Sequence, residues 1–501
     1  VASVELKPAE GAFAAGTYYA TVLPCAIDGV KVTFKRFNGE TDEVVTVQKA
    51  TTTTIARNSG IDLGDFFLYE IGTAQELLAW NSAAAKWTEW DVVRLTADIN
   101  CADVITSDNW TPNTFTGVFD GNEKTIDNFV ITKAGPAAFF NAVSGGAAVS
   151  NLTFGEGCSF TTTLASSSSN RVYAASLATV IKETATIRNI INKGSVTADA
   201  AATGGTKGNY IGGICSSYSS TGDVTGCQNH GAVTFSAVQE AWMNCGGLFG
   251  EVTKEVTLKD CTNYGHVQYN GTNTNNKTIS LAGISASINL ASFENCVNLG
   301  NIECNAQAKH YGGTNIGGIV GMINGGVGGE ITGSANGSED NPTLGALTNN
   351  SSTGGQVRMG GFIGYIENKN FNITDFKNYG KVTNNGASTS QMALGGVVGY
   401  VMGAEGTPVV NTVSSCENHG EIVNFGSVAD LYVGGIAGWL YNASTSFDTV
   451  SNSAAITNSG ALTEDKYVAL GGILGYGYAG TDNTITNATN SGAITNGKGG
   501  K

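Results

Sequence analysis

A glycine-centred motif that returns every 34 to 43 residues is the feature that most constrains this chain, and its clearest copy is Leu394-Gly-Gly-Val-Val-Gly-Tyr400 followed by Cys416-Glu-Asn-His-Gly-Glu-Ile422. The first glycine, or the small residue standing for it, falls at Ala137, Ala174, Gly212, Gly246, Ala282, Gly317, Gly360, Gly395, Gly434 and Gly471. A period in this range belongs to a solenoid, propeller or array, in which each unit buries its apolar face only by stacking on the next.

The second half of the unit is more diagnostic. An asparagine follows each glycine pair, at Asn151, Asn192, Asn229, Asn263, Asn298, Asn336, Asn378, Asn418, Asn452 and Asn490, with Asn128 preceding the first. Two residues earlier stands a small or apolar residue, such as Ile190, Cys227, Cys261, Cys296, Phe376 or Cys416, and beyond the asparagine comes an aliphatic such as Val233, Val267, Ile302 or Ile422. Alternation with period two is the signature of strands, not helices. Asparagine at one place in every turn suits a tight corner, because it tolerates the left-handed conformation and its amide can bond the next asparagine along a stack. The expected fold is therefore all-β, a parallel β-helix with an internal asparagine ladder. At the spacing of neighbouring strands, ten steps between eleven rungs give a rod of at least about 48 Å.

Composition narrows the classes of function. The chain has 501 residues, more than one ordinary core holds, and 41% of them are apolar, which argues against disorder. Only 13% are charged and the net charge is −15, so no basic cluster is present to hold phosphates, and nucleic acid and anionic membrane surfaces are excluded as partners. Of the ten cysteines, Cys227, Cys261, Cys296 and Cys416 share one position with Ile, Val and Phe in other copies, which predicts buried free thiols acting as small hydrophobes. No C-x-x-C pair and no apolar run long enough to span a membrane occurs. The chain opens on Val1 and ends on the polar run Thr495 to Lys501, so a processed start and an end covered by further chain or another molecule are expected.

In chain order, residues 1–68 carry alternating segments such as Thr17 to Leu23 and Val30 to Arg36 and read as a small β-sandwich. Residues 69–501 form the coil domain. It opens with a helix over 73–87, announced by the capping box Thr73-Ala-Gln-Glu76 and placed to plug the end of the solenoid. Trp80, Trp87 and Trp90 read as the packing face of that helix.

Two stretches also resemble known families. Gly11 to Pro24 with Val32-Thr-Phe34 resembles the Ig-like β-sandwich modules of surface lipoproteins of gut-type Gram-negative bacteria. Gly317-Gly-Ile-Val-Gly321 and Gly434-Gly-Ile-Ala-Gly438, with their Asn-x-Gly partners, look like the GLUG motif of bacterial surface proteins over roughly residues 137 to 494, and Phe115 to Asn122 resembles the opening coil of bacterial β-helix proteins. The resemblance implies a right-handed parallel β-helix on an extracellular bacterial surface, held at the outer membrane by an anchor outside this chain. Some GLUG-bearing chains carry a zinc protease, but this sequence has no H-E-x-x-H and four histidines, so neither that activity nor a metal or cofactor carries over.

Candidate ligand contacts fall on the residue after each asparagine, where His230, Tyr264, Tyr379 and His419 predict an outer aromatic stripe, and on Trp242 in a coil-joining segment. Such a stripe reads either as a platform for sugar rings or as ordinary cover for a β surface, where aromatic propensity is high. A glycosidase needs two carboxylates about 5 to 9.5 Å apart. Acids such as Asp260, Glu294, Asp375 and Glu417 instead flank several rungs singly, and the repeats hold only Arg171, Arg188 and Arg358 for a lyase. The sequence thus points to a non-catalytic surface protein, adhesive or part of a coat, whose partners are a host or dietary glycan or neighbouring copies of itself. A glycan-binding component of a polysaccharide-uptake system is the alternative, and a polysaccharide-degrading β-helix a third reading.

Overall fold

The computed structural model describes residues 19, 25–37, 42–55, 67–164, 171–199, 207–239, 241–273, 275–306, 312–324, 330–404, 409–461, 466–479 and 482–497. Within residues 1–68 it describes the backbone of an antiparallel pair, Cys25–Phe37 with Asp42–Ile55, with a register shift between Asp28 and Val30. The rest of the expected sandwich lies outside the described residues.

From Leu68 onward the described residues form a parallel β-helix. One coil shows the plan. Strand Ser388–Gly395 runs into the glycine pair, and Val398–Met402 leaves it. Val409–Ser414 and Glu417–Asn418 follow, and Ile422–Asn424 returns the chain to the next coil. Equivalent strands pair in parallel from coil to coil, building a nine-stranded sheet before the glycine corner, an eleven-stranded sheet after it and an eleven-stranded return sheet. Inward residues of all faces merge into one continuous core from Ile71 to Ile456. No helix among the described residues is long and apolar enough to cross a membrane.

The capping helix α1 spans Ala74–Ser82 and is shorter than expected. Its capping box is present, with Thr73 accepting from the Glu76 amide and Glu76 reaching back to the amides of Gly72 and Thr73. The helix ends at Ala83 because a single 3-10 turn, Ala84–Lys86, brings Trp87 back onto Trp80 at 4.2 Å. Leu77 and Trp80 are buried, and Trp80 meets Phe115 and Phe140 of the first coils edge-on, so α1 covers the end of the core.

Nine of the expected asparagines form one column. The Nδ2 groups of Asn192, Asn229, Asn263, Asn298, Asn336, Asn378, Asn418 and Asn452 each donate to Oδ1 of the next, ending at Asn490, at 2.7 to 2.9 Å. The second hydrogen of each amide in this column binds a nearby backbone carbonyl, such as Gly380 O for Asn378. Asn128 and Asn151 do not belong to it. Phe154, not Asn151, is level with Asn192, and Asn151 instead pairs sideways with Asn189.

The reason lies in the turn. The ladder asparagines are not the left-handed residues; those stand three positions earlier, at Asn189, Gly226, Asp260, Asn295, Gly333, Asp375, Ser415, Thr449 and Asn487, and Asn151 belongs to their column. A similar correction applies to Ala174, which pairs with Ile211 rather than with Gly212.

A second buried ladder runs along the return sheet, Asn349 to Asn384, Asn424, Asn458 and Asn496, at 2.7 to 2.9 Å.

Candidate functional site: the glycine corner and the outer stripe

The sequence places the candidate stripe one residue after each ladder asparagine. There the backbone N–H donates to the carbonyl of the asparagine one coil back, as Tyr264 does to Asn229, which turns the side chain outward. His230 and Tyr264 stack at 4.3 Å with planes 13° apart, and Tyr379 and His419 stack at 5.0 Å and 11°. Each pair therefore covers one ring face with the other ring. Leu299 and Gly337 separate the two pairs, so the stripe is two islands and not a continuous platform. His419 is held further, between Glu417 Oε2 and Ser453 Oγ, both at 2.8 Å. The Glu417 carboxyl sits below its usual range because His419 bonds it and Lys377 lies nearby.

The structure shows a second outward surface that the sequence reading passed over. At the glycine corner the strands before and after it face each other on the side away from the core. The residue two before the first glycine meets the residue five after it: the rings of Tyr432 and Trp439 stand 4.8 Å apart, and the Arg358 guanidinium lies 4.0 Å above the Tyr365 ring. Parallel register stacks these pairs into two columns along the rod. The signal was present in the sequence, since Tyr365, Tyr400, Trp439 and Tyr476 all stand at the same place after the glycine pair.

The two ends of this corner differ in chemistry. Toward the C-terminus, Tyr365, Tyr400 and Trp439 form a separate buried cluster in which ring covers ring, with Tyr400 and Trp439 4.2 Å apart. Arg358 is half-buried against them, bonded to Asn315 Oδ1 and Gln356 Oε1, and desolvation lowers its pKa. These faces are closed, and the cluster reads as packing.

Toward the N-terminus the corner is more polar: Tyr210 and Ser217 are buried, and Trp242 and Arg171 at its margin are exposed. Trp242 is 40% exposed and donates from Nε1 to Tyr210 Oη at 2.9 Å. Arg171 lies over the Tyr210 ring at 5.4 Å, and Tyr173 stacks on Tyr210 from the preceding coil. Across the corner, Glu251 accepts from Ser217 Oγ at 2.7 Å. Desolvation raises the Glu251 pKa, partly offset by the Ser217 bond and by the charge of Arg171.

The corner's two glutamates, Glu251 and Glu367, lie three coils apart by register, about 14 Å along the rod at the usual strand spacing. That exceeds the about 9.5 Å that bounds glycosidic acid and base pairs. Among the described residues no three His, Cys, Asp or Glu side chains converge as metal ligands would.

No family profile and no curated protein matches the sequence. The chain is similar to a crystal structure provisionally described as an immunoglobulin A1 protease from Bacteroides ovatus. The two are 14% identical over 81% of this chain and 84% of that one, with a TM-score of 0.26, a likeness too weak to carry an argument.

Nine cysteines, Cys101, Cys158, Cys215, Cys227, Cys245, Cys261, Cys296, Cys304 and Cys416, are buried free thiols. Burial pushes Cys101 and Cys416 up to about 12.

Proposed function

We propose that this chain is a non-catalytic component of a bacterial cell surface, acting in adhesion or as part of a surface coat. The observation that supports it most is the unbroken series of amide bonds from Asn192 to Asn490, which ties the coils of that stretch into one stiff body. A stiff, closed, weakly charged rod suits a spacer or a coat element that holds binding surfaces away from a membrane. Attachment through an anchor outside this chain belongs to the same proposal, as does the division into an N-terminal module over 1–68 and the coil domain over 69–501.

The test is labelling of intact cells with a membrane-impermeant amine reagent, read at exposed lysines such as Lys182. Labelling before lysis is expected. Labelling only after lysis would end the surface reading. Imaging of the same cells then separates the two roles, since ordered lateral arrays favour a coat and isolated rods favour adhesion.

A further inference from the structure

The polar end of the glycine corner brings together side chains from three consecutive coils. Arg171 and Tyr173 come from the first, Tyr210 and Ser217 from the second, Trp242 and Glu251 from the third. The first link is the indole. Trp242 lies over Gly208 of the preceding coil, where a side chain would collide with its Nε1 end. On its other side the register continues through Thr278 to Gly313, neither large enough to cover an indole. Trp242 is anchored at its Nε1 end and still 40% exposed, against 8% or less for the rings of the closed cluster, whose faces meet one another.

The second link is the hydrogen-bonding inventory. A carboxylate offers about four acceptor positions, and Glu251 receives one bond from Ser217 among the described residues. Its remaining positions belong to a half-buried group whose charged form burial disfavours, so a partner bringing hydroxyl donors would satisfy them. Exposed Arg171 adds donors beside the Tyr210 ring. Acceptor and donor groups thus lie beside one exposed aromatic side chain, with Arg171 and Glu251 of opposite charge.

We infer that Trp242, Tyr210, Arg171 and Glu251 form a subsite for a neutral pyranose ring of a glycan, with the apolar face of the sugar on the indole and a pair of neighbouring hydroxyls on the Glu251 carboxylate. A polyol supplies donors and acceptors on every side and needs no charge, which fits the balanced pair and a protein carrying −15 overall. An extended peptide is disfavoured, because strand addition requires a free sheet edge and the strands here are paired on both sides. The inference deepens the adhesive reading by naming what the rod would grip, and rests on that reading for where the two would meet.

The experiment is affinity electrophoresis of the full chain through gels holding xylan, galactomannan, amylopectin, mixed-linkage β-glucan or polygalacturonate, with iodide quenching of tryptophan fluorescence read alongside. Retardation by at least one neutral polysaccharide is expected, with protection of the exposed tryptophan in the same mixture. Trp242→Ala and Glu251→Gln should each weaken it by about tenfold or more, the scale of one well-placed contact. Trp242→Phe should keep part of it, while Asn385→Ala in an exposed row remote in sequence should leave it unchanged. Because quenching reports on the unaltered chain, the result does not depend on a variant folding. Retardation by no neutral polysaccharide, retardation by polygalacturonate alone, or equal retardation with Trp242→Ala would each overturn the inference. Sugar binding without surface labelling would leave the subsite standing and remove the surface reading, so the two fail separately.

Discussion

Gly396 lies against the side chain of Asn418, so that a methyl group on Gly396 would overlap the Asn418 amide and the carbonyl of Gly435. The same contact recurs between Gly361 and Asn378 and between Gly435 and Asn452. The two halves of the sequence repeat, the glycine pair and the asparagine, therefore meet inside the rod, and this explains why they occur together. Gly396→Ala should destabilise the protein by about 3 kcal/mol, since the obstacles include rigid backbone. A urea unfolding midpoint checks it against Gly135→Ala, where no atom lies within 4 Å of the added carbon and no change is expected.

The fold was legible because this contact leaves a trace in sequence. Glycine pairs, each followed 16 to 23 residues later by an asparagine, marked the coils from Gly212 to Asn490. The misplacement of Asn151 has a physical cause: asparagine is favoured both in the ladder and at the left-handed corner three residues before it, and a single sequence does not say which corner it fills. The stacked pairs His230–Tyr264 and Tyr379–His419 show a different limit. Their alignment on one face was readable, but parallel register at strand spacing makes neighbouring rings stack on each other. The polar corner was legible only in part: Trp242 stood out in a coil-joining segment, but Tyr210 reads as an ordinary strand residue until the fold brings it to the Trp242 indole.

Asn378→Ala tests the ladder itself. The change removes the acceptor for Asn336 and the donor for Asn418 Oδ1 and the Gly380 carbonyl, all buried. A loss of about 3 kcal/mol is expected, because unsatisfied buried groups keep their desolvation cost. Asn385→Ala, in an exposed row where Asn385 donates to Asn350, should cost less than about 0.5 kcal/mol. Equal unfolding midpoints for the two variants would sink the argument.

The buried thiols predict a labelling pattern. With thiol pKa values raised by burial to about 11 at Cys158 and Cys304, little thiolate exists near pH 8, and access is closed as well. A disulfide reagent should leave these nine cysteines unreacted in the native protein and reach all of them in denaturant. Rapid native reaction of most of them would contradict the core placement.

Glu251 predicts how stability changes with pH. Its folded pKa lies above its ordinary value of 4.5, mainly through desolvation, so folding disfavours the ionised form. The penalty is present above the folded pKa, fades as pH falls through it, and is absent below 4.5. Glu251→Gln should therefore be more stable than the parent at pH 7, and the difference should shrink toward zero by about pH 4. Thermal unfolding at both pH values checks the sign; a difference that grows on acidification would refute the assignment.

Thr449 predicts a gain in stability. It sits in the left-handed column at φ 54°, among neighbours that are mostly Asn, Asp or Gly, and a β-branched side chain is poorly suited to that conformation. Its hydroxyl makes one exposed bond, 3.3 Å to Asp448 Oδ2, which is worth little in water. Asparagine tolerates the left-handed region and stands there already at Asn295, where Nδ2 donates to Asp260 of the preceding coil, and at Asn487. Thr449→Asn should stabilise the protein by about 1 kcal/mol, the order of the strain a non-glycine residue carries in this region. The reverse change, Asn295→Thr, should cost at least as much because it also removes the bond to Asp260. Urea midpoints that move the same way in both variants would show that the column is set by something other than backbone strain.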